Sequence, residues 1–249
     1  MRQLSELTDV DEPAWPLLQE QFANSSAPLE SLPARAPEQG RACLLQLQVT
    51  ARSWLGALAL NSGGLTVDGG WLRVYGGATG DRDGLPALPG ALPSLAQVND
   101  FPAAFDPAWH PAAGLIVGHD VLGGVFALNG HDPAASGRPG DPGQMLYFAP
   151  DSLEWEALEM GYGAWLTWLL SGSLAQFYDG LRWPGWQAEA AALEPSQGIA
   201  VYPYLWSKEA HADLAATSRR AVPMTELLGL SRDFCLQFGP NDPGFLGSV

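Results

Sequence analysis

Positive charge is scarce in this sequence. Of its 249 residues, 12 are lysine or arginine and 27 are aspartate or glutamate, so the formal net charge is −15. Lys208 is the only lysine. Nucleic-acid binding depends on basic side chains that neutralise phosphates, and anionic membranes repel an acidic surface. We therefore expect neither as a partner. The acidity would attract and steer a basic protein, although a simpler explanation is that it keeps the protein soluble.

Cysteines and long apolar runs are also few. Cys43 and Cys235 lie far apart in apolar, helix-like surroundings, which is typical of buried reduced thiols and not of a disulfide scaffold. The longest apolar runs are too short to span a bilayer. The first residues, MRQLSELTDVDEPAW, lack the apolar core of a signal peptide. These features predict a cytoplasmic protein.

Recognisable catalytic and metal-binding motifs are missing from the sequence. It contains no HExxH, CxxC, HxH or GxSxG pattern. The pairs His119-Asp120 and His131-Asp132 are expected in turns, where aspartate often bonds its own backbone. The glycine-rich stretch 76–84 lacks the lysine of a phosphate-binding loop. We expect no catalytic residue, no metal and no organic cofactor.

Apolar runs of strand length dominate the middle of the chain. Short turns containing glycine or proline separate them, at Ser62-Gly63, Gly69-Gly70, Gly123-Gly124 and Pro150-Asp151. Turns this short link antiparallel neighbours. The pattern predicts one mainly antiparallel sheet covered by helices, which is an α+β fold. Its expected strands are residues 57–61, 64–68, 71–75, 113–118, 124–128, 144–149 and 154–158.

Helical periodicity flanks these strands. After the sheet, Trp165 and Trp168 fall on the apolar side of a helix expected over 163–170. We expect a single α+β domain over residues 1–249. Within it we expect an N-terminal helical segment over about 4–50, a core of sheet and helices over about 54–181, and a C-terminal helical segment over about 198–238. The same pattern predicts loops at 25–37 and 78–111, further helices at 174–181, 207–218 and 225–238, and a strand at 198–202.

Two groups of residues are candidates for partner binding. Glu154 and Glu156 alternate with Trp155, so both point to solvent, and Glu159 extends this acidic cluster. An acidic cluster of this kind usually marks a solvated strand edge, but it is also consistent with a partner-binding face. Trp183 and Trp186 flank a Pro-Gly turn, where they either plug the end of the sheet or line a groove. Packing is the default expectation for them.

Several strings carry a resemblance to known families. LSELTDVDEPAW, DVLGGVFALNG, YFAPDSLEWE, RWPGW and SRRAVPM resemble a bacterial family known only as a domain of unknown function, over roughly residues 4–238. The segment from Gly114 to Leu170 resembles the sheet-to-helix core of the SUKH superfamily, with long loop insertions at 78–111 and 130–142. Many SUKH proteins are immunity proteins that neutralise bacterial toxins, so this likeness implies a protein-binding role.

Two functions follow as hypotheses. One is a non-enzymatic protein-binding module whose acidic surface, including Glu154, Glu156 and Glu159, binds a basic partner such as a toxin. The other is an enzyme or small-ligand-binding protein with a tryptophan-rich pocket at Trp183 and Trp186. A convex surface with an acidic patch would favour the first. Buried carboxylates or histidines clustered in a cavity would favour the second.

Overall fold

A computed structural model describes residues 1–34, 37–77, 92–111, 113–239 and 242–249. Its helices are α1 Leu4–Thr8, α2 Trp15–Ala23, α3 Pro37–Leu47, α4 Trp54–Asn61, α5 Leu95–Val98, α6 Tyr162–Leu170, α7 Leu174–Phe177, α8 Trp186–Ala191, α9 Lys208–Ala212 and α10 Met224–Phe238. Its strands are β1 Leu29–Pro33, β2 Ser62–Val67, β3 Leu72–Tyr75, β4 Gly114–Asp120, β5 Val125–Asn129, β6 Gln144–Ala149, β7 Glu154–Gly161, β8 Gln197–Tyr202 and β9 Ser218–Pro223.

Seven strands form one antiparallel sheet whose strand order follows the chain order from β1 to β7. Between β2 and β3, Gly69 and Gly70 both have positive φ, at 64° and 90°, a conformation that glycine adopts without a Cβ penalty. Strands β2 to β7 lie where the sequence predicts them. The predicted α+β fold with a mainly antiparallel sheet is therefore confirmed.

The strand predicted at 57–61 is wrong, because these residues belong to α4. This helix is apolar on nearly every side and packs against both α3 and α6, so it lacks the one-sided periodicity that marks a surface helix. Its start is set by Ser53, whose hydroxyl accepts a hydrogen bond from the Gly56 amide at 3.0 Å. The seventh strand of the sheet is β1, within a segment predicted to be a loop.

The C-terminal part contains a hairpin that was only half predicted. Strand β8 is confirmed, but β9 lies partly where the sequence predicts a helix over 207–218, and α9 is correspondingly short. The hairpin is joined to the end of β4 by the Ile199 amide, which donates to the Val121 carbonyl at 2.6 Å. Helix α10 packs against both strands of the hairpin.

The sheet is covered on both faces. We call the face that carries Asp120 and Phe126 the front face. There Trp165 of α6 packs on Phe126, with ring centroids 5.3 Å apart. On the back face, which carries His119, lie α5 and the segment 242–249. All seven residues of β4 are buried as a result, which explains why its first five form an unbroken run without a polar side chain.

Some predicted features fall outside the described residues. Of the loop predicted at 78–111, residues 78–91 are not described, and they include most of the glycine-rich stretch 76–84. The remainder of that loop contains α5. Among the described residues, no helix has the length and apolarity needed to cross a membrane.

Candidate binding surface

The predicted acidic cluster lies on β7, which is an edge strand of the seven-stranded sheet. Glu154, Glu156 and Glu159 are all exposed, as predicted for Glu154 and Glu156 from their alternation with Trp155. The pKa of Glu156 is raised, first by partial burial and then by the charges of Asp151 and Glu154. The carboxylates of Asp151 and Glu154 are therefore close enough to repel that of Glu156. A bound cation would relieve this repulsion.

We expect Asp151→Asn to lower the pKa of Glu156, because the substitution removes one of the two negative charges that raise it. The measurement is an NMR titration of the glutamate side chains. The matched control is Asp141→Asn, which changes an exposed aspartate that does not contribute to this shift. An unchanged Glu156 pKa in the Asp151 variant would contradict the repulsion.

Trp183 and Trp186 take part in a packed aromatic cluster. Trp183 is buried against Trp71, with centroids 5.8 Å apart, and its Nε1 donates to Glu189 at 2.7 Å. Trp186 is half-buried between Trp71, at 5.0 Å, and the guanidinium of Arg182, at 4.0 Å. The pair fills space at the β2–β3 end of the sheet, and its predicted role in partner binding stays a prediction.

A row of aromatic side chains at the surface was missed by the sequence analysis. We define the aromatic row as five residues from the end of β8, the chain after it and α10: Tyr202, Tyr204, Trp206, Phe234 and Phe238. Successive ring centroids lie 5.8, 4.7, 4.8 and 5.2 Å apart. Tyr202 and Phe238, at its two ends, are 65% and 66% exposed.

The local sequence explains how the aromatic row forms. Tyr202, Tyr204 and Trp206 are spaced at intervals of two, from the end of β8 into the bend and turn that follow it, and their rings pack one on the next. Phe234 and Phe238 are four residues apart on α10, which places them on one side of that helix. These two spacings were the available signal, but nothing in the sequence indicates that the two sides face each other.

The aromatic row adjoins the acidic strand. A small cavity of about 30 Å³ is lined by Pro150 of the β6–β7 turn together with Tyr204 and Trp206. The thiol of Cys235, between the two phenylalanines on α10, donates to the Leu153 carbonyl at 3.4 Å. Along the other side of the row runs an open groove of about 730 Å³, lined by Tyr202, Tyr204, Arg219, Arg220, Glu226 and Asp233 among others.

The buried pair His119-Asp120 ends β4, and Asp120 begins the predicted turn to β5, where the Gly123 amide donates to the Asp120 carbonyl at 3.3 Å. Asp120 accepts four hydrogen bonds. Its Oδ1 receives the amides of Leu122 and Gly124, at 2.8 and 2.9 Å, and its Oδ2 receives the hydroxyls of Tyr147 and Tyr178, at 2.7 and 3.0 Å. Burial raises the pKa of Asp120, and these hydrogen bonds oppose the rise.

His119 points to the opposite face and is equally enclosed. Its Nε2 lies 2.7 Å from the Leu246 carbonyl, which can only accept, so Nε2 carries the proton. Nδ1 then accepts from the Tyr75 hydroxyl, also at 2.7 Å. Burial lowers the pKa of His119 to about 4, so the ring is neutral at pH 7. Neither His119 nor Asp120 has exposed surface, so in this conformation they stabilise the fold and cannot reach a substrate.

Metal ligation has little support in the described part of the chain, where no three histidine, cysteine or acidic side chains form a possible ligand set. The rings of His110 and His131 lie 5.6 Å apart, which brings two of the four histidines together. A metal site needs three or four ligands. The expected absence of metal and cofactor stays a prediction.

Comparisons with known proteins give a family and no function. The family model described as "Protein of unknown function DUF2625" matches residues 4–227. The uncharacterised protein YbfG of Escherichia coli (strain K12) is 36% identical over 227 residues, which cover 91% of this chain and 94% of that protein. An uncharacterised protein of Haemophilus influenzae is 30% identical over 206 residues, or 82% of this chain and 83% of that protein. No solved structure matches significantly, so the SUKH resemblance stays a prediction.

Proposed function

We propose that this chain, which belongs to the DUF2625 family of proteins of unknown function, is a protein-binding module for a basic partner. One observation carries the proposal: the aromatic row lies against the β6–β7 turn, where the acidic strand β7 begins. We call the two together the composite surface. It consists of the aromatic row, Asp151, Glu154, Glu156 and Glu159. Aromatic side chains supply most of the binding energy in many protein interfaces, and charges at the rim supply selectivity.

The aromatic row is suited to be the centre of an interface. Its rings are partly exposed, yet each packs against the next, and the planes of Tyr204 and Trp206 are only 15° apart. Rings held in this way lose little rotamer freedom when a partner covers them. A contiguous exposed apolar patch on a folded chain commonly marks an interaction site. These properties support protein binding over a purely structural role.

The acidic cluster determines the sign of the partner's charge. A basic partner would be steered towards β7 by long-range attraction and would remove the mutual repulsion at Glu156. Binding a cation lowers the raised pKa of Glu156, so binding releases protons and affinity falls as pH drops through that pKa. A toxin neutralised by steric occlusion is one partner of this chemistry. We place the module in the cytoplasm, where the free thiols of Cys43 and Cys235 stay reduced.

The alternative of a small-ligand pocket at Trp183 and Trp186 has less support. Trp183 is buried against Trp71, and the half-buried Trp186 is enclosed between Trp71 and Arg182. The guanidinium of Arg182 is in turn held by Asp68 at 2.6 Å, with both side chains largely buried. The buried groups His119 and Asp120 do not line a cavity at these tryptophans. The arrangement is that of a packed core, which gives a ligand little room.

The charge proposal is tested by a triple reversal, Glu154→Lys, Glu156→Lys and Glu159→Lys. The matched control is Glu20→Lys, Glu38→Lys and Glu194→Lys, which reverses three exposed acids outside β7. A basic protein captured from native lysate by the unmodified chain should be captured by the control and lost by the β7 variant. Association should slow on adding salt, because exposed charges are screened over about 8 Å at physiological ionic strength. Equal capture by both variants would exclude β7 as the binding face.

The aromatic contribution is tested separately with Trp206→Ala combined with Phe238→Ala. We expect dissociation of the captured partner to accelerate by about 30-fold or more, the effect of losing one interface hot spot of about 2 kcal/mol. Leu17→Ala serves as the control, because Leu17 is a large apolar side chain exposed on α2. Surface plasmon resonance gives both rates. An unchanged dissociation rate would remove the aromatic row from the interface.

A further inference from the structure

Residues 242–249, which we call the strap, cross the back face of the sheet in extended form without joining it as a strand. Three side chains from three different parts of the chain donate to three strap carbonyls. Trp155 Nε1 reaches Pro243 O at 2.9 Å, Arg138 reaches Phe245 O at 3.1 Å, and His119 Nε2 reaches Leu246 O at 2.7 Å. The strap is thus held mainly through its backbone, by donors that do not depend on its side chains.

The strap places sequence requirements at two points, the buried Pro243 and the step from Leu246 to Gly247. The side chain of Leu246 is buried in the core. Gly247 has φ +107°, and a Cβ added there would lie 2.8 Å from His119 Cε1 and 3.2 Å from Val98 Cγ1. A leucine followed by glycine is therefore required at this point. Phe245, one residue earlier, is 39% exposed and is correspondingly free to vary.

A groove beside the first residues of the strap has a binding capacity that the strap does not use. Arg138 is 4% exposed, and its Nε has no hydrogen-bond partner among the described residues. Its guanidinium lies 4.2 Å from the centre of the Trp155 ring. Both residues line an open groove of about 700 Å³ next to Asp242 and Pro243. A buried donor without a partner is costly, so a ligand that supplied an acceptor there would be favoured.

We propose that the surface beneath the strap, which this groove adjoins, is a peptide-binding site that takes an extended segment with a leucine–glycine step from a partner protein, and that the strap is its intramolecular occupant. The contacts of the strap define the ligand: three backbone carbonyls in reach of His119, Arg138 and Trp155, a buried proline, and three residues later a buried leucine followed by glycine. Because the strap takes no part in the strand ladder, its release leaves the hydrogen bonds of the sheet intact. A competing peptide therefore displaces the strap without unfolding the sheet.

The test uses the full chain carrying Leu246→Asp, which weakens the strap, and a fluorescent peptide of the sequence DPGFLGSV. The unmodified chain should bind this peptide weakly, because its own strap competes at a high effective concentration. The Leu246→Asp chain should bind it at least about tenfold more tightly, since the competent state is more populated. The matched control chain, Phe245→Asp, alters an exposed strap residue and should bind as weakly as the unmodified chain.

The required glycine gives a second control. The peptide carrying Gly247→Val should not bind any of the chains, because its Cβ would meet the His119 ring. A folded Leu246→Asp chain that ignores DPGFLGSV, or that binds the valine peptide equally well, would overturn the proposal. If the chain forms dimers by exchanging straps between copies and does not bind free peptide, the proposal of a partner peptide is overturned.

Hydrogen exchange on the unmodified chain keeps the proposal testable if the variant does not fold. The Ser248 amide donates to Val98 O at 2.9 Å, so its exchange reports release of the strap. We expect it to exchange by local opening, faster than the β4 amides, and to exchange faster still when DPGFLGSV is added. Exchange of Ser248 only through global unfolding would overturn the proposal. A charge reversal at Glu159 alone, which does not line this groove, leaves these readouts unchanged, so this site and the composite surface fail or succeed independently.

Discussion

Asp120→Ala is expected to lower the free energy of unfolding by about 3 kcal/mol or more, or to prevent folding, because each buried polar group left without a partner costs about 1–3 kcal/mol. The substitution leaves four donors without their acceptor: the hydroxyls of Tyr147 and Tyr178 and the amides of Leu122 and Gly124. No water reaches these groups, since Asp120 and both tyrosines are fully buried. The measurement is urea unfolding at constant m-value.

Graded variants separate this hydrogen-bonded centre from simple packing. Tyr147→Phe and Tyr178→Phe each remove one donor and keep the ring, so each should cost about 1–3 kcal/mol. The folded-state pKa of Asp120 is raised above the unfolded value of 3.8. The folded state therefore holds the proton more tightly, and the contribution of this group to stability falls as pH rises from about that value towards the folded pKa. Asp120→Asn should remove that pH dependence. A loss below 1 kcal/mol in Asp120→Ala would show that the four bonds are not needed.

Trp165→Ala is the second substitution with a large expected effect, a loss of about 3–5 kcal/mol. The side chain is fully buried and packs on Phe126 and Tyr162, so the substitution leaves a cavity between α6 and the front face. Trp168→Ala, on the same helix but only half-buried, is the control and should cost less. The indole Nε1 of Trp165 has no hydrogen-bond partner among the described residues, so Trp165→Phe should be tolerated far better than alanine. An unchanged melting temperature in Trp165→Ala would contradict the assignment.

The sequence predicts the sheet well because its turns are chemically marked. Glycine and proline end each strand from β2 onward, and their short spacing allows antiparallel pairing alone. The prediction from sequence fails at α4, because a helix buried on several sides shows the same apolar run as a buried strand. The cap at Ser53 was the available signal. It also fails at β9, because the adjacent Arg219 and Arg220 do not look like strand residues and the hairpin is short and solvated on one side.

The candidate surface was less predictable than the fold. The exposure of Glu154 and Glu156 follows from local alternation, so it could be predicted. The aromatic row requires Tyr204 to meet Phe234, at 5.1 Å, across two separate elements, and no local pattern encodes that distance. The partners of Asp120 are similarly remote, 27 and 58 residues further along the chain. The turn at Asp120 could be predicted from its neighbours in sequence, but its two tyrosine partners could not.

The strand order of the sheet also has a consequence for synthesis on the ribosome. Because spatial order equals chain order, each strand from β3 to β7 emerges directly after the strand it pairs with, so the sheet grows by one hairpin at a time. The hydrogen bonds around Asp120 cannot form at the same pace as the sheet. Tyr178 follows Asp120 by 58 residues, a delay of roughly 3–12 s at ordinary rates of translation. Until then Asp120 stays hydrated, although it is fully buried in the folded protein, and the back face stays open until residues 242–249 leave the exit tunnel.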